Sequence, residues 1–205
     1  MVRTSSLMED GKGAGLWPVP FLAAGIALVL MAFPALGDRF QWIQGDPWAP
    51  LRWVGCHWTH WSWPHVVWDA LVFAVLGLWA QRLSPWGFYW TLGLSVLAIP
   101  VAIGFLLPDL PSYRGLSGLD SALFGLVATH LAIEAHRLKK RWDLFIICFL
   151  MGGFALKVLF EIVFSTSFFA GGSEIMVPIP LAHAVGGFIG SAVAGALARS
   201  HPLAK

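Results

Sequence analysis

The sequence has little charge. Only 12% of its 205 residues are Asp, Glu, Lys or Arg, against roughly 25% in an average soluble domain. Its mean hydropathy is +0.72, and long apolar runs recur along almost the whole chain. This shortage of charge argues against a soluble globular domain. It indicates instead a polytopic membrane protein whose outer surface faces the lipid bilayer.

Cysteine, tyrosine and clustered positive charge are also scarce. The two cysteines, Cys56 and Cys148, cannot form a disulfide framework, and we expect one in a loop and the other inside a span. A net charge of +2 without a basic stripe gives no reason to expect a nucleic-acid partner. In contrast, 12 Trp and 15 Phe accompany only 2 Tyr. Trp favours the interface between bilayer and water, which again indicates a membrane protein.

Apolar segments long enough to be membrane helices follow one another along the chain. We identify six of them: 16–36, 65–81, 86–107, 116–135, 142–164 and 178–198. At about 1.5 Å per residue, each covers most or all of a roughly 30 Å hydrocarbon core. Helices are expected because open strands would leave backbone groups unpaired in lipid. The predicted fold is therefore an all-α bundle of six transmembrane helices, one membrane domain over 16–198 with flanking segments 1–15 and 199–205.

Lys and Arg are distributed unevenly between the predicted loops. If the N-terminus is cytoplasmic, the outer side holds only Arg39, Arg52 and Arg114. The inner side then holds Arg3, Lys12, Arg82, Arg137, Lys139, Lys140, Arg141, Arg199 and Lys205. This asymmetry agrees with the excess of positive charge found in cytoplasmic loops. We therefore predict that both termini are cytoplasmic.

Polar residues at membrane depth are costly, so each needs a reason. His65 and Asp69 lie four residues apart on the second span and therefore share a helix face. Ser117 begins the fourth span and His183 lies early in the sixth. In the predicted orientation these three spans all start at the outer side, which places the four side chains within about 10 Å of it. We expect them to converge on one site.

Glycines surround the serine and follow the histidine. Gly115 and Gly118 flank Ser117 and permit a tight turn, while the start of a helix presents unpaired amides that could hold an oxyanion. Further along, Gly186 and Gly190 follow His183 with a spacing that lets two membrane helices pack closely. A histidine on a helix pressed against the serine's helix would suit a nucleophile and its base. Each motif alone also fits plain helix packing.

These motifs resemble those of the rhomboid intramembrane serine proteases. The segment HWSWPHVVWD at 60–69 is similar to the family's second-span pattern of His, four residues, His, three residues, Asn. GLSG at 115–118 is similar to its nucleophile motif, and HAVGGFIG at 183–190 to its sixth-span base motif. The resemblance covers all six spans. The compact form, the string YRGLSG at 113–118 and the Trp-Asp pair at 68–69 look most like the rhombosortase branch, which is associated with C-terminal GlyGly-type sorting tails of exported bacterial proteins.

The resemblance implies an intramembrane serine endopeptidase with a Ser117–His183 dyad, no third acid, and neither cofactor nor metal. It places the protein in the bacterial inner membrane, with the active site opening to the outer side. Its implied substrates are transmembrane or C-terminally membrane-anchored proteins. His65 and Asp69 would occupy oxyanion-stabilising positions, and His60 would be a structural loop residue. A Trp-rich first loop at 37–64 would lie in the interface, and the loop 165–177 would cap the site.

One departure from the family pattern concerns Asp69, which stands where the family has Asn. An ionised carboxylate facing an oxyanion would repel it, so Asp69 is either neutral and donating, or accepts a hydrogen bond from His65 and only orients it. We favour the second interpretation. Asp120 is a further acid with no assigned role. Lys157 and Glu161 have the i,i+4 spacing of an ion pair, which we interpret as structural.

Two other functions stay open at this point. A catalytically silent rhomboid-like protein could bind transmembrane helices, although such a protein would be expected to lack the serine or the histidine. A metal site is the second alternative, because imidazole and carboxylate ligands suit zinc. Its candidate ligands are His57, His60, His65, Asp69 and His183. This alternative gives Ser117 no role. A transporter is less favoured, since no interrupted helix pair repeats along the chain.

Overall fold

The computed structural model describes residues 18–46, 49–164 and 179–200, which are almost entirely helical. The helices are α1 (Pro18–Ala32), α2 (Pro34–Phe40), α3 (Ala49–Gly55), α4 (Trp63–Leu83), α5 (Pro85–Leu106), α6 (Ser117–Arg137), α7 (Arg141–Phe164) and α8 (Pro180–Ser200). A 3-10 turn covers Cys56–Trp58, and the short strands β1 (Trp42–Ile43) and β2 (Ser112–Tyr113) pair antiparallel. The predicted segment 1–15, most of the predicted tail and the predicted cap at 165–177 lie outside the described residues.

Four of these helices, α4, α5, α7 and α8, are long and apolar enough to cross a membrane. The bent pair of α1 and α2 would make a fifth. Large apolar side chains such as Phe105, Phe149 and Phe188 are exposed on the outside of the bundle, as expected where lipid is the solvent. The molecule is therefore an all-α integral membrane protein. The sequence predicted six spans. The two that are not among these four are the first, which is bent between α1 and α2, and the fourth, which is α6.

The first predicted span, 16–36, is not one continuous helix. Helix α1 ends at Ala32, and α2 begins at Pro34 with its axis bent by 116°. The residue before a proline avoids the helical conformation because the proline ring crowds its backbone. Phe33 accordingly adopts φ −120° and ψ 75°. Apolar length alone predicts an uninterrupted span here, because it takes no account of the proline within the run.

Helix α6 is the central helix of the bundle. It contacts α4, α5, α7 and α8, and 11 of its 21 residues are buried. Helix α6 is less apolar than α4, α5, α7 and α8, since it carries Asp120, Glu134 and Arg137. A helix that neighbouring helices surround needs no continuous apolar surface toward lipid. This position explains why α6 is predicted as a span by its length while its side chains are more polar than those of α4, α5, α7 and α8.

The pairing of α6 with α8 is the most extensive helix contact among the described residues. The two backbones touch: a Cβ added at Gly186 would collide with the carbonyl oxygen of Gly118, and one at Gly190 with that of Ala122. Glycines in this register allow such close packing, as their spacing in the sequence predicts. The contact fixes His183, one turn before Gly186, beside the first turn of α6.

Candidate active site

Ser117 is the first residue of α6 and is half-buried. The turn before it depends on Gly115, whose φ of +128° is strained for any residue with a side chain. Leu116, at the N-cap, makes no side-chain capping bond. The first amides of α6 have no acceptor within their own helix. Ser117 therefore stands next to N–H groups of the kind that stabilise an oxyanion.

The turn before Ser117 is held by Arg114. Its guanidinium donates to Asp38 Oδ1 at 2.6 Å and to Gln41 Oε1 at 2.8 Å. The same group lies 4.3 Å from the ring centroid of Trp61 and donates to the carbonyl oxygen of His60 at 3.5 Å. One residue thus joins the end of α2, the loop before α4 and the turn at the serine. Sequence reasoning used Arg114 as an outer positive charge and as part of a family string, and missed this role.

His183 lies on the first turn of α8 and is 7% exposed. Its Nδ1 is 3.0 Å from Glu161 Oε2 and 2.9 Å from Lys157 Nζ. The predicted i,i+4 pair of Lys157 and Glu161 is present, with Nζ and Oε2 3.0 Å apart. The prediction of a purely structural pair inside one helix is incomplete, because both side chains reach the histidine of another helix. The only signal in the sequence was the presence of two ionisable residues at membrane depth.

Ser117 and His183 lie on facing turns of α6 and α8. Their chain neighbours Gly118 and Ala182 are so close that a Cβ on Gly118 would lie 3.3 Å from that of Ala182. Within the described ranges no hydrogen bond joins the Ser117 hydroxyl to the His183 ring. Such bonds are often long in a site without substrate. Since Nδ1 is occupied on the α7 side, Nε2 is the ring nitrogen left for the serine.

His65 and Asp69 share one face of α4, as their spacing predicts, and His65 Nε2 is 3.1 Å from Asp69 Oδ2. His60 joins them, with its Nε2 3.3 Å from the same oxygen. The Leu116 amide donates to His60 Nε2 at 3.3 Å, and a Cβ on Gly115 would lie 3.3 Å from His65 Cε1. This cluster of three side chains therefore supports the turn that carries Ser117. His60 has a larger role than the loop position that the family resemblance implied.

The hydrogen bonds of Asp69 bear on its role. One carboxylate oxygen lies within hydrogen-bond distance of two imidazoles, and a carboxylate can only accept. Burial lowers the pKa of His60, although Asp69 opposes this effect, so the ring is neutral at pH 7. His60 Nε2 cannot accept from the Leu116 amide and donate to Asp69 at the same time, whereas the Nε2–H of a neutral His65 can donate to Asp69. Asp69 is thus close enough to His65 to accept from it and orient it, and this role of Asp69 stays a prediction.

His57 belongs to a different part of the molecule. Its Nε2 is 3.1 Å from the carbonyl oxygen of Val96 on α5, and its ring packs edge-on against Tyr113. Complete burial lowers its pKa to about 4, so the ring stays neutral and donates to this carbonyl. His57 therefore fastens the 3-10 turn to α5. Among the hydrogen bonds of the described chain, none joins His57 to the His60 cluster.

The residues that could hold a metal are fewer than the five considered from the sequence. The ligand atoms of His60, His65 and Asp69 all lie within 4.8 Å of one another, a spacing that could admit a metal ion. His57 is instead directed to α5, and His183 to α7. The five residues therefore do not form one metal site, and only His60, His65 and Asp69 of the five lie close enough together to bind a metal ion.

Neither a scan against protein-family models nor a search of curated proteins found a match for this chain. The resemblance to rhomboid proteases therefore rests on the three motifs.

Proposed function

We propose that this protein is an intramembrane serine endopeptidase in which Ser117 is the nucleophile and His183 the general base. The observation that supports this best is the pairing of α6 with α8. It brings a serine at a helix N-terminus next to a histidine whose Nδ1 is already engaged. A nucleophile and a base on facing helices, with amide donors alongside, are the parts that acyl transfer needs.

The reaction follows from these parts. Ser117 Oγ attacks the carbonyl carbon of the scissile peptide bond while His183 Nε2 takes the hydroxyl proton. The developing oxyanion accepts hydrogen bonds from the first amides of α6. His183 then gives its proton to the leaving nitrogen as the C–N bond breaks, which leaves an acyl-enzyme on Ser117. Water, activated by the same base, hydrolyses this ester and regenerates the serine.

The cluster beside the turn has a supporting role in this proposal. Asp69 accepts from His65, His60 Nε2 accepts from the Leu116 amide, and a Cβ on Gly115 would touch the ring of His65. This arrangement keeps the amides of the turn in place. Removal of one oxyanion donor costs about 10²–10³ in rate in other serine hydrolases, so a small displacement here is costly.

The topology and the substrates are part of the same proposal. Six spans with cytoplasmic termini would place the starts of α4, α6 and α8, which carry the site, at the outer face of a bacterial inner membrane. The substrates would be transmembrane or C-terminally anchored proteins cut near the outer leaflet. Processing of C-terminal GlyGly-type sorting tails, as in the rhombosortase branch, is the substrate class that the motifs favour.

Labelling with a fluorophosphonate tests the nucleophile. We expect wild-type protein in detergent to become labelled and Ser117→Ala to remain unlabelled, because only an activated serine reacts at an appreciable rate. Ser191→Ala is the matched control, since Ser191 lies on α8 and its hydroxyl faces the Gly125 carbonyl oxygen. This variant should label like the wild type. The proposal would be contradicted if Ser117→Ala labelled as strongly as the wild type. It would also be contradicted if this variant still cleaved a co-expressed protein with a GlyGly-type tail at the wild-type rate.

A metal-dependent function is a second candidate, favoured only by the spacing of His60, His65 and Asp69. Metal analysis of purified protein separates the two. The metal site would be supported if the wild type held stoichiometric zinc and Asp69→Ala lost both the zinc and the activity. Ser117→Ala would then stay active, which argues against the serine nucleophile.

A further inference from the structure

Helix α7 is attached to the bundle at few points. Among its 24 residues only Val158 and Glu161 are buried, and Glu161 is 2% exposed. Large apolar neighbours such as Leu159 and Ile162 face outward. A carboxylate inside an apolar helix is costly unless it has partners. Lys157 and His183 are the partners that offset this cost for Glu161.

The three side chains form a triangle. Glu161 Oε2 is 3.0 Å from both Lys157 Nζ and His183 Nδ1, and Lys157 Nζ is 2.9 Å from His183 Nδ1. Each group has fixed hydrogen-bonding abilities: an ammonium only donates and a carboxylate only accepts. The two contacts of Nδ1 thus demand opposite tautomers. A bond to Glu161 needs a proton on Nδ1, whereas a bond from Lys157 needs a lone pair there.

The placement of protons favours the bond to Glu161. With the proton on Nδ1, the carboxylate accepts from both the imidazole and the ammonium, so all three groups have a partner. With the proton on Nε2, Nδ1 would accept from Lys157, but the carboxylate would lose one donor and would face the Nδ1 lone pair at 3.0 Å. The Glu161 side chain is only 1% exposed, so water cannot replace the lost donor, whereas the side chain of Lys157 is 21% exposed. Only the first arrangement leaves a lone pair on Nε2, the nitrogen that serves Ser117 in the proposed mechanism.

We infer that Glu161 is a positioning residue that holds the proton of His183 on Nδ1 and so makes Nε2 the basic nitrogen. This inference rests on the proposed function, and it replaces the dyad without a third acid by a Ser–His–Glu arrangement contributed by three helices. The Nδ1 proton stays on the ring throughout, and Glu161 is not protonated. Its negative charge faces the imidazolium that forms when Ser117 gives up its proton, and Lys157 balances that charge at rest.

Kinetics of the full-length protein test the inference. Glu161→Gln keeps the volume but can donate to Nδ1 and so permits the wrong tautomer. We expect the rate constant for fluorophosphonate labelling, and kcat for a cleaved substrate, to fall about 10²–10⁴-fold with KM nearly unchanged, by analogy with triads that lose their acid. Glu161→Asp should recover part of the rate. Glu134→Gln, an exposed glutamate on α6, should behave like the wild type.

A spectroscopic readout separates positioning from mere folding. Nitrogen-15 NMR of histidine-labelled protein in micelles reports which ring nitrogen carries the proton, and His183→Gln identifies the signal. In the Ser117→Ala background we expect Nδ1–H with Glu161 present and a mixture with an Nε2–H form in Glu161→Gln. Ser117→Ala, with or without Glu161→Gln, should keep the wild-type elution volume, and its melting temperature should shift only modestly.

The outcomes distinguish the role of Glu161 from the protease function itself. An Nε2–H tautomer with Glu161 in place, or a Glu161→Gln variant that labels at the wild-type rate, would overturn the role of Glu161. A wild type that never labels would overturn the proposed protease function instead, while the NMR result alone would still decide the tautomer.

Discussion

Gly115 is the residue on which the position of Ser117 depends most directly. Its φ of +128° lies where side chains are strained, and a Cβ placed on it would lie 3.3 Å from Cε1 of His65. The motif GLSG predicts a tight turn at this glycine, and the observed backbone shows why. Only glycine combines this conformation with such a close neighbour.

Gly115→Ala should therefore be among the most damaging small substitutions in the chain. We expect a loss of about 1–3 kcal/mol in the free energy of unfolding from backbone strain, and a labelling rate at Ser117 reduced at least 10-fold because the turn moves. Gly45→Ala is the matched control: its φ is +73° but nothing lies within 4 Å. That variant should lose stability while it labels normally. Equal labelling by both variants would contradict the role given to the turn.

Single residues of the site differ in how far the sequence predicts them. Ser117 and His183 are predicted from local motifs, and His65 with Asp69 from their spacing on one helix. Glu161 is recognisable only as the partner of Lys157, because its contact with His183 depends on how α7 is rotated and shifted against α8. That register is set by side-chain packing across helices, which no local pattern encodes.

At the scale of elements, the contact of α6 with α8 decides whether a site exists. Glycines at 125, 186 and 190 let the two backbones touch. Packing of this kind has no room for a methyl group, and an enlarged residue must push the helices apart. The serine and the histidine lie on these same turns, so the separation of the helices is also the separation of the proposed nucleophile from the proposed base.

Gly190→Ala should separate the two helices. Its Cβ would collide with the carbonyl oxygen of Ala122, and we expect a loss of about 1–3 kcal/mol from overpacking. Gly195→Ala, on the same helix with nothing within 4 Å, should instead gain roughly 0.5–1 kcal/mol because alanine suits a helix interior better. Thermal unfolding in mild detergent measures both. Shifts of the same sign would show that the glycines are not there for close packing.

The elements that the sequence does not predict well share a cause. Apolar length alone identifies 16–36 as a span, yet Pro34 divides it and turns α2 away. Helix α6 is identified as a span from its length. Its composition is less apolar because helices, and not lipid, surround it on several sides. Hydropathy reports the average surroundings of a segment. It does not report bends, nor whether neighbours or lipid provide those surroundings.

At the scale of the whole molecule, the membrane class is predictable from composition, while orientation is still a prediction. The C-terminal ends of α6 and α8 lie together, because Arg137 donates to the carbonyl oxygen of Ala198 at 2.8 Å. Arg141 begins α7 four residues after the end of α6, and Arg199 lies in the last turn of α8, so both belong to this end of the bundle. This end of the bundle therefore collects positive charge, which cytoplasmic faces favour.

Reporter fusions test this orientation. A green fluorescent protein fused after Lys205 should fluoresce and alkaline phosphatase at the same point should be inactive, since both termini are expected to be cytoplasmic. Phosphatase inserted between α5 and α6, in the loop 107–111, should be active because that loop precedes the site at the outer face. The reverse pattern would invert the topology and place the proposed site on the cytoplasmic side.

The sparse attachment of α7 also has a consequence for the timing of catalysis. In the proposed protease, a substrate helix would reach Ser117 from the lipid between neighbouring helices, and α7 has the fewest buried residues of the long apolar helices. Glu161 travels with α7, so a bundle opened on that side has a base whose tautomer is no longer held. Entry and bond cleavage would then be consecutive events. A passing membrane protein that enters and leaves before α7 returns would escape uncut, and dwell time would become a criterion of selection.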